Sequence, residues 1–294
     1  GLPANIFFGT GIPTIIMILR QERKNTDVLI IDASKGFVKE GKNNKLRASD
    51  IKRITDTYIN REDTDKYSRK ISREEIRNND YNLNIPRYID SSEKAENWDI
   101  YASMFGGIPK TELEELNKYW SAFPNLKNDL FVDNGIPYVE LAVSNIKNPI
   151  KNHKDVKEFY QKFKNSFDSL PDYLNTELIG NMLNLNIAHT EDKLCNNIFD
   201  RFNDIPIIDK YEAYQILDDE WVNISIDLEI IQTEGFNATK KVDPNLVLKK
   251  KGGKDEEFQE GWIGHIIPFE LVQHTLLIED YTALNNLKNQ LAEI

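Results

Sequence analysis

Four histidines, His153, His189, His265 and His274, and one cysteine, Cys195, are the side chains whose types most directly offer metal or nucleophilic chemistry. Their spacing does not. No HxxxH or HxH pair occurs, so a metal site would need these residues to converge by folding alone. Cys195 lies among Leu194, Ile198 and Phe199 at helical spacing, which reads as a buried structural thiol rather than a nucleophile. The carboxylate runs Glu112–Glu115 and Asp218–Glu220 read as solvated helix faces. There is no GxSxG elbow, P-loop or HExxH pair. The one GxG element, Gly9-Thr10-Gly11, precedes an apolar run instead of following a strand. It follows two adjacent rings, Phe7 and Phe8, whose bland reading is core at a loop-to-strand join. Spacing alone therefore assigns no catalytic, cofactor-binding or metal residue.

The elements that would position any site come next. Thr14–Arg20 and Asp27–Asp32 read as two strands joined by the charged turn Gln21–Thr26, and Ala33–Asn44 as a polar loop. Ser49 is expected to cap a helix with Ile51, Ile54 and Tyr58 on one face. Ser72-Arg73-Glu74-Glu75 has the form of a capping box. Pro86 sets Asn82–Asp90 as extended. Pro109 opens a helix through Leu113, Leu116, Tyr119 and Trp120 to Pro124. Further helices are expected at Asp155–Phe167, Thr176–Phe202 and Asp209–Ile226, with a hairpin near 230–267 around the basic turn Lys249–Lys254. A last helix, Pro268–Ile294, carries Leu284, Leu287 and Leu291 as a stripe suited to packing on another helix.

Composition narrows the class. The 294 residues are 40% apolar, with a mean hydropathy of −0.54, and no run approaches the about 20 apolar residues of a membrane span. One cysteine excludes an intrachain disulfide framework and suits a reducing cytoplasm. The net charge of −11 argues against broad adhesion to phosphate backbones, so if the protein works on DNA, another subunit or a missing part of the protein is expected to supply most of the phosphate contacts.

The apolar run Thr14–Leu19 reads as a strand buried on both faces, and such a strand needs neighbours to pair its backbone groups. None precedes it, so the chain reads as the C-terminal piece of a longer protein. The loop Leu2–Leu19 and the following Asp27–Ser34 (Asp-Val-Leu-Ile-Ile-Asp-Ala-Ser) resemble the modification subunits of type I restriction–modification systems, which are adenine-N6 DNA methyltransferases. Asn79–Asp90 and Gly106–Pro124 extend the resemblance. So do Tyr211–Trp221, the run Gly261–Pro268 and the helical end.

The resemblance implies a fold that is mainly α with some β. Residues 1–33 would supply the last strands of a truncated Rossmann-like methyltransferase sheet, 34–140 a linking and helical region, and 141–294 a helical C-terminal domain. It implies an intact subunit that transfers a methyl group from S-adenosylmethionine to adenine N6. The Gly-rich turn and Asn/Asp-Pro-Pro-Tyr/Phe loop of that chemistry are absent, so this chain alone is expected to be inactive and to bind no cofactor. Phe7, with Phe8 in reserve, matches the position of an aromatic residue that packs against a flipped-out adenine. The implied partners are a sequence-reading specificity subunit and a translocating restriction subunit, with Leu284, Leu287 and Leu291 as candidate contacts. A helical interaction adaptor remains open, although it has no reason to carry Leu2–Leu19. So does an independent enzyme, which predicts a pocket of converging polar groups.

Overall fold

The computed structural model describes residues 1–92, 98–251 and 254–292; part of the expected basic turn Lys249–Lys254 and the end of the expected helix Pro268–Ile294 lie outside them. The elements in order are β1 (Val28–Ile31), β2 (Val38–Glu40), β3 (Asn43–Lys45), α1 (Ala48–Asn60), β4 (Ser68–Ile71), α2 (Arg73–Asn78), α3 (Ile100–Phe105) and β5 (Ile108–Pro109). There follow α4 (Lys110–Glu115), α5 (Asn117–Ala122), α6 (Leu126–Leu130), β6 (Phe131–Asp133), β7 (Tyr138–Leu141), α7 (Lys147–Asn152) and α8 (Lys154–Phe167). The remainder is α9 (Leu170–Leu174), α10 (Ile187–Arg201), α11 (Lys210–Glu234), β8 (Val242–Lys251), β9 (Lys254–Gly264), α12 (Phe269–Thr275) and α13 (Ile278–Ala292). The chain is thus a mixed α/β protein, dominated by helices and carrying small sheets.

Two compact units form. The first comprises residues 1–168 and 195–218, the second 169–194 and 219–294. In the first unit β1 pairs antiparallel with β4, Val28 facing Ile71 and Ile31 facing Ser68. Ile30, Ile71, Ile76, Tyr88 and Ile89 close a core over this pair, with Val28 and Ile85 at its margin. A second core gathers Phe123, Leu126 and Leu130 against Trp120, Val156 and Phe159. The stacked rings of Phe163 and Phe167, 4.8 Å between centroids, continue it towards Ile198, Phe202 and Ile205. Apolar positions every three or four residues along α8 produce this continuous seam.

Several expectations are corrected. Thr14–Arg20 is no strand. Leu2 and Thr14 share one isolated antiparallel bridge, and each apolar residue of Ile15–Leu19 is more than half exposed. An extended run gains little without a neighbour to pair with, and none of the described strands pairs with it. The expected pair of closing Rossmann strands is therefore not what these residues form; only the second becomes a strand, in an antiparallel partnership. Ala33–Asn44 is not only loop, because β2 and β3 make a short hairpin there, Val38 facing Lys45. Gly41, at φ +63°, makes the turn.

Helix α1 starts earlier than Ser49. Arg47 is its N-cap, with Asp50 returning a carboxylate oxygen to the Arg47 N–H at 2.9 Å, and Ser49 is buried within the first turn. Ile51 faces outward and Thr57 inward, so the expected face is rotated. Ser72 does cap α2, accepting the Glu75 N–H at 3.1 Å. Around Pro86 the chain makes a 3₁₀ turn, Ile85–Arg87, rather than an extended crossing. Side chains there satisfy backbone groups: Asn82 Oδ1 accepts from the Asn84 N–H, and Tyr88 Oη donates to the Asn82 carbonyl at 2.7 Å. Pro109 precedes α4, but the helix breaks at Leu116 before α5.

In the second unit the region expected as one helix from Thr176 is a π-turn, Asn175–Gly180, followed after a bend by α10. Gln232 ties that bend to α11 by donating to the carbonyls of Met182 and Leu185, both at 3.0 Å. The hairpin forms as β8 and β9, with a register shift between Pro244 and Leu246. The last helix is two, α12 and α13, broken at Leu276 and Leu277. Among the described residues no helix is long and apolar enough to cross a membrane.

Candidate functional site

The N-terminal loop is held at both ends and open in the middle. The Leu2 N–H donates to the Thr14 carbonyl at 2.8 Å, and Asn44 fastens the loop through its amide to the Ala4 carbonyl, also at 2.8 Å. The Asn44 N–H reaches the Asn5 carbonyl at 2.9 Å. Between these ties the chain turns through Phe7, Phe8 and Gly9, the last at φ +80° with no atom near the position of a Cβ. Phe8 is 97% exposed and Phe7 51% exposed. Neither ring is in a core. The two aromatic faces stand on a loop with fixed anchors, a placement that leaves them free to stack on a planar ligand.

The leucines of α13 are also outside a core. Leu284 is 46% exposed, Leu287 63% and Leu291 75%. Among the described residues no group of three or more His, Cys, Asp or Glu converges as a metal site. Cys195 is fully buried. His153 accepts the Asp155 N–H at Nδ1, 3.1 Å away, and meets Asp129 at Nε2, 2.9 Å away, which makes it the cap of α8.

Sequence reasoning did not anticipate a cleft of about 260 Å³ in the first unit. It lies between the turn after β1 and the start of α1, and it collects Lys35, Arg47, Ser49, Arg53, Lys66 and Tyr67. Two carboxylates brace it. Burial alone would raise the Asp32 carboxyl, but hydrogen bonds from Ser91 Oγ at 2.6 Å and the Ser34 N–H at 3.1 Å hold it below the ordinary range. Asp50 takes Arg47 Nε and Nη2, both at 3.1 Å. Burial pushes the Tyr67 phenol up to about 12, and the Arg53 guanidinium lies over its ring at 4.6 Å. No local motif could reveal the cleft, because its members come from five separate stretches of chain. The one readable signal was the polar turn of Ala33–Gly36 directly after an apolar strand.

The N-6 DNA Methylase family model matches residues 1–97. The MpnII methylase subunit of a type I restriction enzyme from Mycoplasma pneumoniae is 34% identical over 100 residues, 34% of this chain and 18% of that protein. The MjaVII methylase subunit from Methanocaldococcus jannaschii is 37% identical over 125 residues, 40% of this chain and 22% of that protein. A crystal structure of the methyltransferase subunit of a type I restriction–modification system from Streptococcus thermophilus is 53% identical, covering 31% of this chain and 20% of that one, with a TM-score of 0.31. The first third of the chain is thus similar to the N-6 DNA methylases, and the chain to methylase subunits of type I restriction enzymes. The matched parts span between 18% and 31% of the curated relatives' own lengths.

Proposed function

We propose that this chain is part of the modification subunit of a type I restriction–modification enzyme, and that the whole subunit methylates adenine N6 in DNA with S-adenosylmethionine as donor. The match of residues 1–97 to the N-6 DNA methylases carries this reading. The catalytic and cofactor-binding residues lie outside this sequence, which has no Pro-Pro dipeptide and no Gly-rich turn following a strand. The chain alone is inactive and serves assembly with a specificity subunit and a restriction subunit, meeting DNA through the complex.

Phe7, with Phe8 behind it, packs against the adenine once it has left the duplex. A flipped base has lost its stacking neighbours, and an aromatic face returns about 1–3 kcal/mol of it. The exposure of both rings on an anchored loop supports that role. The exposed apolar run Thr14–Leu19 takes its strand partners from the rest of the subunit, completing a Rossmann-like sheet with Asp27–Asp32. The relatives' greater length supports this.

Titration calorimetry and co-purification test the reading. The 294-residue chain gives no saturable heat with millimolar S-adenosylmethionine and is retained by a tagged type I specificity subunit. Micromolar cofactor binding, or no retention, overturns it.

A further inference from the structure

The cleft beside the start of α1 has a ligand chemistry of its own, independent of the methylation reading. Ser49 is its most telling member. The residue lines the cleft and is 1% exposed, and among the described residues its Oγ has no hydrogen-bond partner. Its N–H is already used, donating to Gln215 Oε1 at 3.0 Å. A buried hydroxyl without a partner is unfavourable unless a bound group supplies one.

The charges around that hydroxyl identify the group. The carboxylates at the cleft are occupied: Asp32 by Ser34 and Ser91, Asp50 by Arg47, and Glu212 by the Arg47 guanidinium at 2.8 and 3.0 Å. The Arg47 guanidinium offsets part of the charge of Asp50 and Glu212, whereas Asp32, held by neutral donors, keeps its charge and must be outweighed by the cations. Three cations remain at the rim. Arg53 meets Asp209 only at 3.4 Å, Lys35 donates to the Ser91 carbonyl, and Lys66 makes no ion pair among the described residues. The 13-residue α1 adds the positive end of its backbone dipole. Gly36 closes one wall, where a Cβ would stand 2.9 Å from Asp50 Oδ1.

We propose that this cleft binds a phosphate group, held by Ser49 Oγ and the cations of Lys35, Arg53 and Lys66. A doubly charged tetrahedral oxyanion uses three cations and a hydroxyl donor more fully than a carboxylate does. The volume admits one phosphate with a small substituent, so the group belongs either to a nucleic-acid backbone or to free phosphate and its small esters.

The test uses the 294-residue chain in chloride buffer of constant ionic strength. Inorganic phosphate raises the melting temperature saturably, as a ligand of the folded state must. Ser49→Ala melts no lower than the parent without phosphate, because it removes only an unpartnered hydroxyl. Both Ser49→Ala and the exposed-site variant Lys66→Ala weaken the phosphate response about tenfold. The source is read with a fluorescent DNA duplex. Displacement of the duplex by inorganic phosphate, together with its weaker binding to Lys66→Ala, assigns a backbone phosphate. Duplex binding indifferent to both assigns free phosphate or a small ester. Absence of a saturable phosphate shift, or an unchanged shift in either variant, overturns the proposal.

Discussion

Arg47 clasps Glu212 across 165 positions of sequence, Nη2 to Oε1 at 2.8 Å and Nη1 to Oε2 at 3.0 Å. The same guanidinium donates to Asp50 in the first turn of α1, so one side chain both steadies the carboxylate that accepts the Arg47 N–H and fixes where the start of α11 meets it. The two roles differ in worth. Glu212 is mostly exposed, whereas Asp50 is nearly buried.

Glu212→Gln is therefore expected to cost less than about 1 kcal/mol, as solvent-screened pairs do. Arg47→Ala should cost about 1–3 kcal/mol, since it also removes the two guanidinium hydrogen bonds to the nearly buried Asp50. Urea unfolding followed by circular dichroism measures both. Equal losses would mean that the long-range clasp, not the cap, dominates.

A second pair of substitutions addresses the apolar run that does not become a strand. Ile71 is fully buried on β4, and Ile71→Ala should cost about 2–5 kcal/mol. Ile16→Ala, at a residue more than half exposed, should change stability by less than about 0.5 kcal/mol. A loss at Ile16 comparable to that at Ile71 would restore Thr14–Arg20 as a buried strand of this chain.

What the sequence made legible follows from the range of the forces involved. Ser72 and Glu75 stand three residues apart and settle the start of α2 between themselves, so the capping box was readable. The period of α8 was equally plain, because one face of a helix meets one core. Thr14–Arg20 was not, since a strand exists only by pairing and its composition cannot say whether a partner is present. The start of α1 was missed because Arg47 caps it in place of the serine two residues on. The cleft was invisible for a similar reason. Ser49 and Lys66 acquire a shared meaning only once β1, α1 and the turn before β4 are brought together.

His265 gives a pH prediction in the second unit. Its Nδ1 lies 2.6 Å from Asp243 and its Nε2 3.3 Å from Glu234. The hydrogen bond to Asp243, and then that to Glu234, holds the imidazole above its ordinary value despite some burial. A raised value in the folded state contributes stability that is fully present below the unfolded value, about 6.5, and is lost as pH rises through the higher folded one. His265→Gln should therefore lower the melting temperature more at pH 5.5 than at pH 8.5, both values being about one to two units from the unfolded pKa. A deficit independent of pH would show that the ring, not its charge, matters.

Phe7 is tested in the whole subunit. Phe7→Ala should slow single-turnover methylation about tenfold or more, the equivalent of one lost base–ring stack of about 1–3 kcal/mol. It should leave melting and subunit assembly unchanged, because the ring is not packed in a core. A fluorescent base analogue at the target position should report weaker extrusion. Unchanged rates would pass the role to Phe8.

The stripe on α13 separates assembly from folding. Leu284, Leu287 and Leu291 recur at helical spacing and all stand exposed, so an aspartate at the middle position leaves no carboxylate buried within this chain. Leu287→Asp is expected to shift the melting temperature by no more than about 2 °C, the range of ordinary surface substitutions. If the stripe packs against the specificity subunit, the same change places an unpaired charge in an apolar contact, which costs several kcal/mol. Co-purification should then fail while the melting curve stays in place. Lys288→Ala, one position off the stripe, should affect neither. A variant that melts normally and still pulls down the specificity subunit would remove these leucines from the interface.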